Sequence, residues 1–567
     1  MHSQIQILNK YKTGREKNLQ SFFGEKLIKN IKICDIYRFN RDLNNDDYLF
    51  ASELLSNPIS QQVFLKKDIK KILKRYGNFS WILEIGYLPG VTDNLGNTAA
   101  EIIREKLDFD HNNFKINSSQ LFLLSTSSKS VVNDIARECS NSLVNRVDLK
   151  SFKQFLKDKT KIFKQSVDNL ENEYITKSVN LNLSDLKLKK IGKEGIKGEK
   201  GIRRGTLGLD IQSLKVIKRH FNRKGRSPRD IEIETLAQTW SEHCKHKIFS
   251  SEIDNIKKGL FDTYIKGATR EIINKRKDNF CISLFSDNAG GISFNKNWVV
   301  CHKVETHNTP SALDPFGGSL TGITGVNRDC IGFGKGAKPI ANTYGFCFSY
   351  PNKEHVLYRS KNKKDKLLSS RFIINGVING VKVGGNCSGI PTPQGFVYFD
   401  DKYSAKPLVF CGTVGIIPKK IKGKFSHVKK ARPGDEILMI GGRVGKDGIH
   451  GATFSSEELD ARSPVTAVQI GDPITQKKFS DAIIKELRDK NLYNSITDNG
   501  AGGLSSSVGE MAKEAGGFIV DLDLVPLKYK GLQPWEIWIS ESQERMTMAV
   551  STKNKKKVIR LLNKRGV

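Results

Sequence analysis

The sequence predicts a mixed protein, α+β at its start and α/β further on, built from several domains. Three observations carry that prediction. At 567 residues the chain has length for about four domains of ordinary size. Two stretches near the start repeat a strand–turn–helix–strand pattern, and from Phe280 onward apolar strands alternate with glycine-rich turns and helices.

The first repeat runs from Ile5 to about Phe64 and opens on the strand IQILNKY. The second begins at Ser80 with WILEIGYLPGVTDNLGNTAAEIIREKL, where Pro89-Gly90 ends a strand and Asp93-Asn94 is expected to cap a helix from Ala99 onward. A spacing of roughly 75 residues is too long for a solenoid repeat and fits two α+β sub-domains, 1–78 and 79–173.

Residues 174–226 shift in composition. KLKKIGKEGIKGEKGIRRGTLGLD is rich in Lys and Gly and aperiodic, so it reads as a linker within a linker domain, 174–274. Ser227-Pro228-Arg229-Asp230 then reads as a helix start, with serine as cap, proline at the first helical position and Asp230 as the capping-box acid. Ile233, Leu236, Ala237, Trp240 and Cys244 follow at helical spacing, and His243 rides on that stripe near its end.

Strong strands follow at WVVCHKVET, NTYGFCFSY and PLVFCGTVGI, giving a segment 275–418. DEILMIGG opens a further segment, 419–567, after a basic turn from Lys419 to Pro433. The end, VIRLLNKRGV, reads as a helix closing at Arg565 with Gly566 as its cap. Val567 would then begin a strand of an unfinished sheet, so the chain is expected to be C-terminally incomplete.

Composition narrows the function. No apolar run reaches the ~18 residues that span a bilayer, and MHSQIQILNKYKTG lacks the apolar core and cleavage site of a secretory signal. The nine cysteines are scattered and form no C-x-x-C pair, which argues against disulfides and structural zinc and for a reducing cytoplasm. The net charge of +33 is spread along the whole chain, with no nucleic-acid-binding motif. It reads as a solvated surface, with no nucleic-acid and no membrane partner; if the substrates are phosphorylated, such a surface raises their local concentration.

Four motifs can carry chemistry. In the strand VVCHKVETH, alternation puts Lys303, Glu305 and His307 on one side and Val300, Val304 and Thr306 mainly on the other. An ammonium, a carboxylate and an imidazole in a row suit a phosphate, a divalent ion and a proton transfer; the plain alternative is the wet face of an edge strand. Asn308-Thr309-Pro310 breaks the strand. GGSLTGITGVNRDCIGFGKGAKP adds close glycines, Arg328, Asp329 and Lys338, though Gly332, Gly334 and Gly336 form no P-loop or dinucleotide fingerprint.

The second motif, Thr497-Asp498-Asn499-Gly500-Ala501-Gly502-Gly503, leads small residues into a helix, which favours an anion with Asp498 holding a metal on it. A turn with a helix cap is the alternative. The third, GGRVGKDGIHGATFSSEEL, has the glycines to wrap a phosphate or to serve only as a loop. The fourth, Glu541-Ser542-Gln543-Glu544-Arg545, offers substrate hydrogen bonds or is a surface turn.

Together the motifs resemble the formylglycinamide ribonucleotide amidotransferase (FGAM synthase, PurL) family. The carriers are WSEHCKHKIF, KVETHNTP, GVNRDCIGFGKGAKP, VGGNCSGIPTPQG, GRVGKDGIHGATF, VQIGDP, TDNGAGGLSSS and SESQERM, in the family's order over roughly residues 200 to 550. The tandem start, with LPGVTDNLGNTA, is similar to PurS-like domains. The resemblance implies tandem PurS-like α+β sub-domains, a helical linker and one AIR-synthetase-like half, its N-terminal domain at 275–418 and an incomplete C-terminal domain at 419–567.

It also implies a ligase reaction of purine biosynthesis. ATP with Mg²⁺ phosphorylates the formamide oxygen of formylglycinamide ribonucleotide, and ammonia from a glutaminase subunit or domain displaces phosphate from the iminophosphate. By family resemblance His243 and His307 are active-site histidines, the latter a proton acceptor. Lys303 contacts ATP, as does His246 at a position where many members have Tyr. Glu305, Asp329 and Asp498 bind Mg²⁺. Thr306, His307, Asn308, Thr309, Arg328, Gln469, Glu541, Ser542 and Gln543 contact substrate.

Two departures stand out: HNTP replaces the commoner HNHP, at Thr309, and the family's second synthetase half is missing, as is a glutaminase domain. Three alternatives remain beside this reading. They are another ATP enzyme of the AIR-synthetase superfamily, which would lack the SEHC helix, a partner-dependent or non-catalytic fragment, and last a nucleic-acid binder.

Overall fold

The two N-terminal repeats complete each other's sheet. In the computed structural model the described residues are 4–567 without 66–74, 89–90, 92, 108–113, 142–144, 158–174, 199–202, 243–245, 278, 354–355, 359–362, 364–365, 452, 454–470 and 530. The chain forms two units, 1–168 and 169–567. In the first, β1 (Gln4–Asn9), α1 (Gly14–Phe23), β2 (Asn30–Phe39), α2 (Asn45–Leu55) and β3 (Gln61–Leu65) are repeated as β4 (Trp81–Tyr87), α3 (Asn94–Leu107), β5 (Ile116–Ser125), α4 (Lys129–Cys139) and β6 (Asn145–Ser151), followed by α5 (Phe152–Lys157).

The strand order β3-β1-β2-β5-β4-β6 is the order of one repeat followed by its reverse. The second strand of each repeat pairs with the other, antiparallel from Asn30↔Ser125 to Phe39↔Ile116. A three-stranded repeat alone would expose that long apolar edge. Helices α1 and α4 pack on Ile31, Ile33, Leu83 and Phe122, and α2 and α3 on Ile5, Ile7, Phe39 and Ile116. Helix α3 starts at Asn94, five residues before the expected Ala99. The Asp93 carboxylate takes the Gly96 N–H at 2.8 Å, so the helix begins directly after its cap.

The second unit opens with a correction. Residues 174–226, whose Lys/Gly-rich part is expected to be an aperiodic linker, contain α6 (Asp185–Glu194) and α7 (Ile211–Arg223). Leu188, Leu207, Leu214, Ile217 and Phe221 build a core there with Ile233 and Ala237 of α8 (Asp230–Thr239). Lysines between those apolar positions hid a helical spacing that is sufficient for burial. The start of α8 also shifts: Arg229 is the cap and Glu232 its capping-box acid, taking the Arg229 N–H at 2.7 Å. Pro228 lies outside because its carbonyl accepts the Val179 N–H at 2.8 Å, which holds that segment extended. Helix α8 ends at Thr239, so the expected stripe is cut short before Cys244. Two further helices follow, α9 (Lys247–Ser250) and α10 (Gly267–Lys275).

Next come β7 (Cys281–Ser283), β8 (Gly290–Ser293), β9 (Trp298–Thr306), α11 (Asn308–Leu313), α12 (Pro315–Gly332), β10 (Lys338–Phe348), α13 (Ser370–Ser388), β11 (Gln394–Phe399) and β12 (Leu408–Pro418). Their sheet runs β11-β10-β12-β9-β8-β7. Ile323 and Val326 of α12 and Ile373 and Val377 of α13 fill one face against Tyr344, Phe346, Val409 and Cys411. Register puts Ile292, Val304, Phe396 and Tyr398 on the opposite face, where they are 38, 46, 52 and 57 % exposed.

A short hairpin, β13 (Lys420–Ile421) and β14 (Lys424–Phe425), leads to β15 (Asp435–Gly441), α14 (Pro473–Ala482), β16 (Ser495–Asp498), α15 (Gly503–Ala515), α16 (Pro534–Ile539), β17 (Arg545–Ser551) and α17 (Thr552–Lys564), with the sheet order β15-β17-β16. Among the described residues no helix is long and apolar enough to cross a membrane.

Candidate functional site

Strand β9 and helix α12 lie side by side, and the site is built along their contact. Lys303 Nζ stands 3.0 Å from Asp329 Oδ2. A side chain on Gly325 would begin 3.9 Å from Glu305 Oε2, and one on Gly322 would begin 3.1 Å from His307 Cβ. Residues 303, 305 and 307 thus meet positions 329, 325 and 322 of α12, a period-two strand face laid along one helical stripe. Glycine at 322 and 325 leaves room for the carboxylate and the imidazole. The row of ammonium, carboxylate and imidazole lies along a helix and is half-buried.

Asp498 joins this row from β16. Asn288, in the turn before β8, donates one Nδ2 to both acids, at 3.1 Å to Asp329 Oδ1 and 2.9 Å to Asp498 Oδ1. Its own Oδ1 accepts from Lys429 Nζ at 3.1 Å and from Thr497 Oγ1 at 3.3 Å. Lys429 also pairs with Asp287 at 2.6 Å. Arg328 is 2 % exposed, with Nε 3.8 Å from Asp498 and Nη1 3.8 Å from Glu544.

The electrostatics follow from crowding acids out of water. Burial, reinforced by the Asp329 charge and opposed by Arg328 and Lys303, holds the Asp498 carboxyl up at about 7. Burial raises Glu305 too, with Lys303 pulling against it. Glu544 stands at about 7, chiefly from burial, against the pull of Arg328. For Lys303 burial works downward, but Asp329 and Glu305 outweigh it and keep the ammonium charged.

The second polar layer sits at the start of α15. Gly502 N–H donates to Glu541 Oε1 at 3.1 Å. Ser542 Oγ donates to Asp447 Oδ2 at 2.6 Å and accepts from Gly445 N–H at 2.9 Å. Gln543 Nε2 donates to the Glu541 carbonyl at 2.7 Å, and its Oε1 has no hydrogen-bond partner among the described residues. Glu541, Ser542 and Gln543 are all buried, so the surface-turn alternative does not hold. Gly503 is fixed by geometry: its φ is +57°, and a side chain there would begin 2.0 Å from the Ser540 carbonyl.

Several expected residues stand elsewhere. Thr306 lies on the exposed face of β9, away from α12, because strand alternation turns it from Glu305 and His307. His246 is exposed at the start of α9, its ring edge-on to Phe249 at 6.2 Å. Asn308 is spent on the backbone, its Oδ1 accepting the Val409 N–H at 2.8 Å, and Thr309 is buried in α11. His243 and Gln469 lie outside the described residues.

Asn288, Asp287 and Lys429 were missed, although DNAGG at 287–291 echoes DNGAGG at 498–503. Oxygen donors of this kind suit a hard cation. Yet among the described residues no three His, Cys, Asp or Glu side chains converge as a metal cluster. Lys303 and Asn288 stand between the acids instead.

A six-stranded sheet backed by two helices, followed by a three-stranded domain that adds Asp498 to a half-buried acid–lysine row, is the arrangement to which the AIR synthase related models match. Residues 286–417 match the model of the "AIR synthase related protein, N-terminal domain" and 432–567 that of its C-terminal domain. Residues 200–247 match the "Formylglycinamide ribonucleotide amidotransferase linker domain".

With the linker ahead of both, the chain belongs to the PurL family of phosphoribosylformylglycinamidine synthases. It is 39 % identical over 388 residues to the PurL subunit of Picrophilus torridus, covering 68 % of this chain and 46 % of that relative. To the subunit of Thermoplasma volcanium it is 36 % identical over 366 residues, covering 64 % and 44 %. The chain thus spans a little under half the length of the curated relatives it matches. A solved structure of Thermotoga maritima PurL complexed with FGAR is 30 % identical, with a TM-score of 0.49, over 62 % of this chain and 50 % of that one.

Proposed function

We propose that this chain carries part of an enzyme converting formylglycinamide ribonucleotide to formylglycinamidine ribonucleotide with ATP and glutamine-derived ammonia, in the cytoplasm. The row of Lys303, Glu305 and His307 along Gly322, Gly325 and Asp329 is the observation that carries the reading.

In this reading ATP gives its γ-phosphoryl group to the formamide oxygen, forming ADP and an iminophosphate. Ammonia adds to the iminophosphate carbon, a proton leaves its nitrogen to His307, and the C–O bond breaks as phosphate departs. Lys303 offsets the charge on the phosphoryl oxygens. Glu305, Asp329 and Asp498 would hold Mg²⁺, which would supply further neutralisation of that charge. Arg328, Asn308, Thr309, Gln469, Glu541, Ser542 and Gln543 would orient the ribonucleotide. His243 would stand as the second active-site histidine, with His246 towards ATP. Thr306 would reach substrate only from the sheet's other face.

Residues 1–78 and 79–173 would be the PurS-like sub-domains and 174–274 the linker domain. Residues 275–418 and 419–567 would be the two AIR-synthetase-like domains. A glutaminase subunit or domain would supply ammonia. The partner-dependent reading has its own support. An open apolar face at Ile292, Val304, Phe396 and Tyr398 is suited to a second synthetase half, and the relatives are long enough to hold one.

The test mixes the protein with Mg·ATP, formylglycinamide ribonucleotide and ammonium and measures ADP. ADP release that requires the ribonucleotide supports the proposal. Release that ignores it favours another enzyme of the class, and release only on adding a second synthetase half favours the partner-dependent reading.

A further inference from the structure

A buried polar knot joins the linker to the C-terminal domain, apart from the row on β9. Glu234, on α8, is wholly buried, and its Oε2 lies 2.8 Å from His450 Nε2. His450 is 1 % exposed and belongs to the glycine-rich segment after β15. Its φ of +62° lies in the left-handed region that a residue with a side chain enters only when its surroundings enforce it. Arg204 closes the knot from the linker side, with Nη2 2.8 Å from Asp230 Oδ2 and Nη1 3.8 Å from Glu234 Oε1.

Trp535, at the start of α16, takes both cationic and imidazole faces. The Arg204 guanidinium carbon lies 4.4 Å from the indole centroid, and the His450 ring stacks on it at 6.1 Å and 19°. A side chain on Gly205 would begin 3.2 Å from His450 Nδ1, so the linker backbone is pressed against the imidazole edge. A buried carboxylate at this depth needs its partners, since losing one leaves an uncompensated charge. A single apolar contact would have glued the two segments with no preferred register; a hydrogen-bonded pair in a strained turn fixes one.

We propose that Glu234 and His450 form a positioning pair. They lock the linker helix onto the glycine-rich segment, and so set where Ser241 and Glu242 stand relative to the C-terminal domain. The kinetic consequence rests on the function proposed above; the mechanical one does not. Ser241 follows the end of α8 by two residues, and Gln238, on the same helix, has its Cβ 3.6 Å from where a side chain on Gly502 would begin. The helix therefore carries its register straight to the glycine turn at the start of α15.

Amide hydrogen exchange on the full chain tests the pair. In His450→Ala, exchange is expected to rise about tenfold or more in both 230–242 and 444–451, with β15–β17 unchanged. Glu234→Gln keeps an acceptor for the imidazole and should loosen both segments less, and Glu234→Ala/His450→Ala should add little to either alanine variant. Loosening confined to the substituted residue's own segment in both single variants, His450→Ala and Glu234→Gln, would overturn the pair, whichever folds better.

In preparations with ribonucleotide-dependent turnover, His450→Ala should lower kcat about tenfold and leave KM for Mg·ATP within about twofold. Both segments loosened with kcat unchanged would refute the positioning role. Absence of turnover in the unsubstituted protein counts instead against the proposed function, and exchange then decides the pair alone.

Discussion

Two side chains on the half-buried row test different parts of the chemistry. His307 lies against Gly322 of α12, and the proposed reaction uses it only to take a proton. His307→Ala should therefore cost about 10²–10⁴ in ammonia-dependent turnover, as loss of a general base does. The circular dichroism and thermal midpoint should stay near those of the parent; near-parental turnover would remove His307 from the mechanism. Asp498 tests the electrostatics. Its carboxyl is held at about 7, so folding takes up a proton there. The contribution to stability is full below the ordinary carboxylate range and is lost as pH rises through 7. Asp498→Asn should therefore raise stability by roughly 1–3 kcal/mol at pH 8 and by little at pH 4, read as paired thermal melts. A stabilisation that grows toward acid would show that the acid is not crowded in the way the row implies.

At the scale of elements, the contact of β9 with α12 depends on missing side chains. A side chain on Gly322 would begin 3.1 Å from His307 Cβ, half-buried, and 3.2 Å from Cys411 Sγ, wholly buried. Gly322→Val should cost about 1–3 kcal/mol through overpacking and should displace the imidazole, lowering kcat more than tenfold. Gly509 in α15 has open space where its side chain would begin. Gly509→Ala should instead gain about 0.5–1 kcal/mol by helix propensity alone. Equal effects in urea melts would refute the packing argument.

The same contact shows what was legible in the sequence. Alternation in WVVCHKVET is a local property, so it places Lys303, Glu305 and His307 on one face and Thr306 on the other without knowledge of the fold. Asn288 was not legible, because its role exists only where β16 brings Asp498 beside Asp329. The helices α6 and α7 were overlooked because lysine between Leu188 and Ile191, or between Leu214 and Ile217, dominates composition while leaving the buried spacing intact.

On the scale of the whole molecule, the core map says which parts can stand alone. Among the described residues, every buried member of the three N-terminal cores falls between Ile5 and Ala136, with partly buried neighbours out to Phe155. Among the described residues, the cores of the second unit draw on residues from Val179 onward. Both repeats are needed for the first set, since β2 and β5 cover each other's edges. A polypeptide of residues 1–168 should accordingly unfold as one cooperative step, with calorimetric and van't Hoff enthalpies in agreement. Residues 1–78 alone should fail to do so, because they end with β2 unpaired on one side. Two separated transitions in the 1–168 polypeptide would mean that the repeats fold independently and that the shared sheet is a later docking of finished halves. One transition would mean that the repeat is a unit of sequence only, and that the unit of folding is the pair.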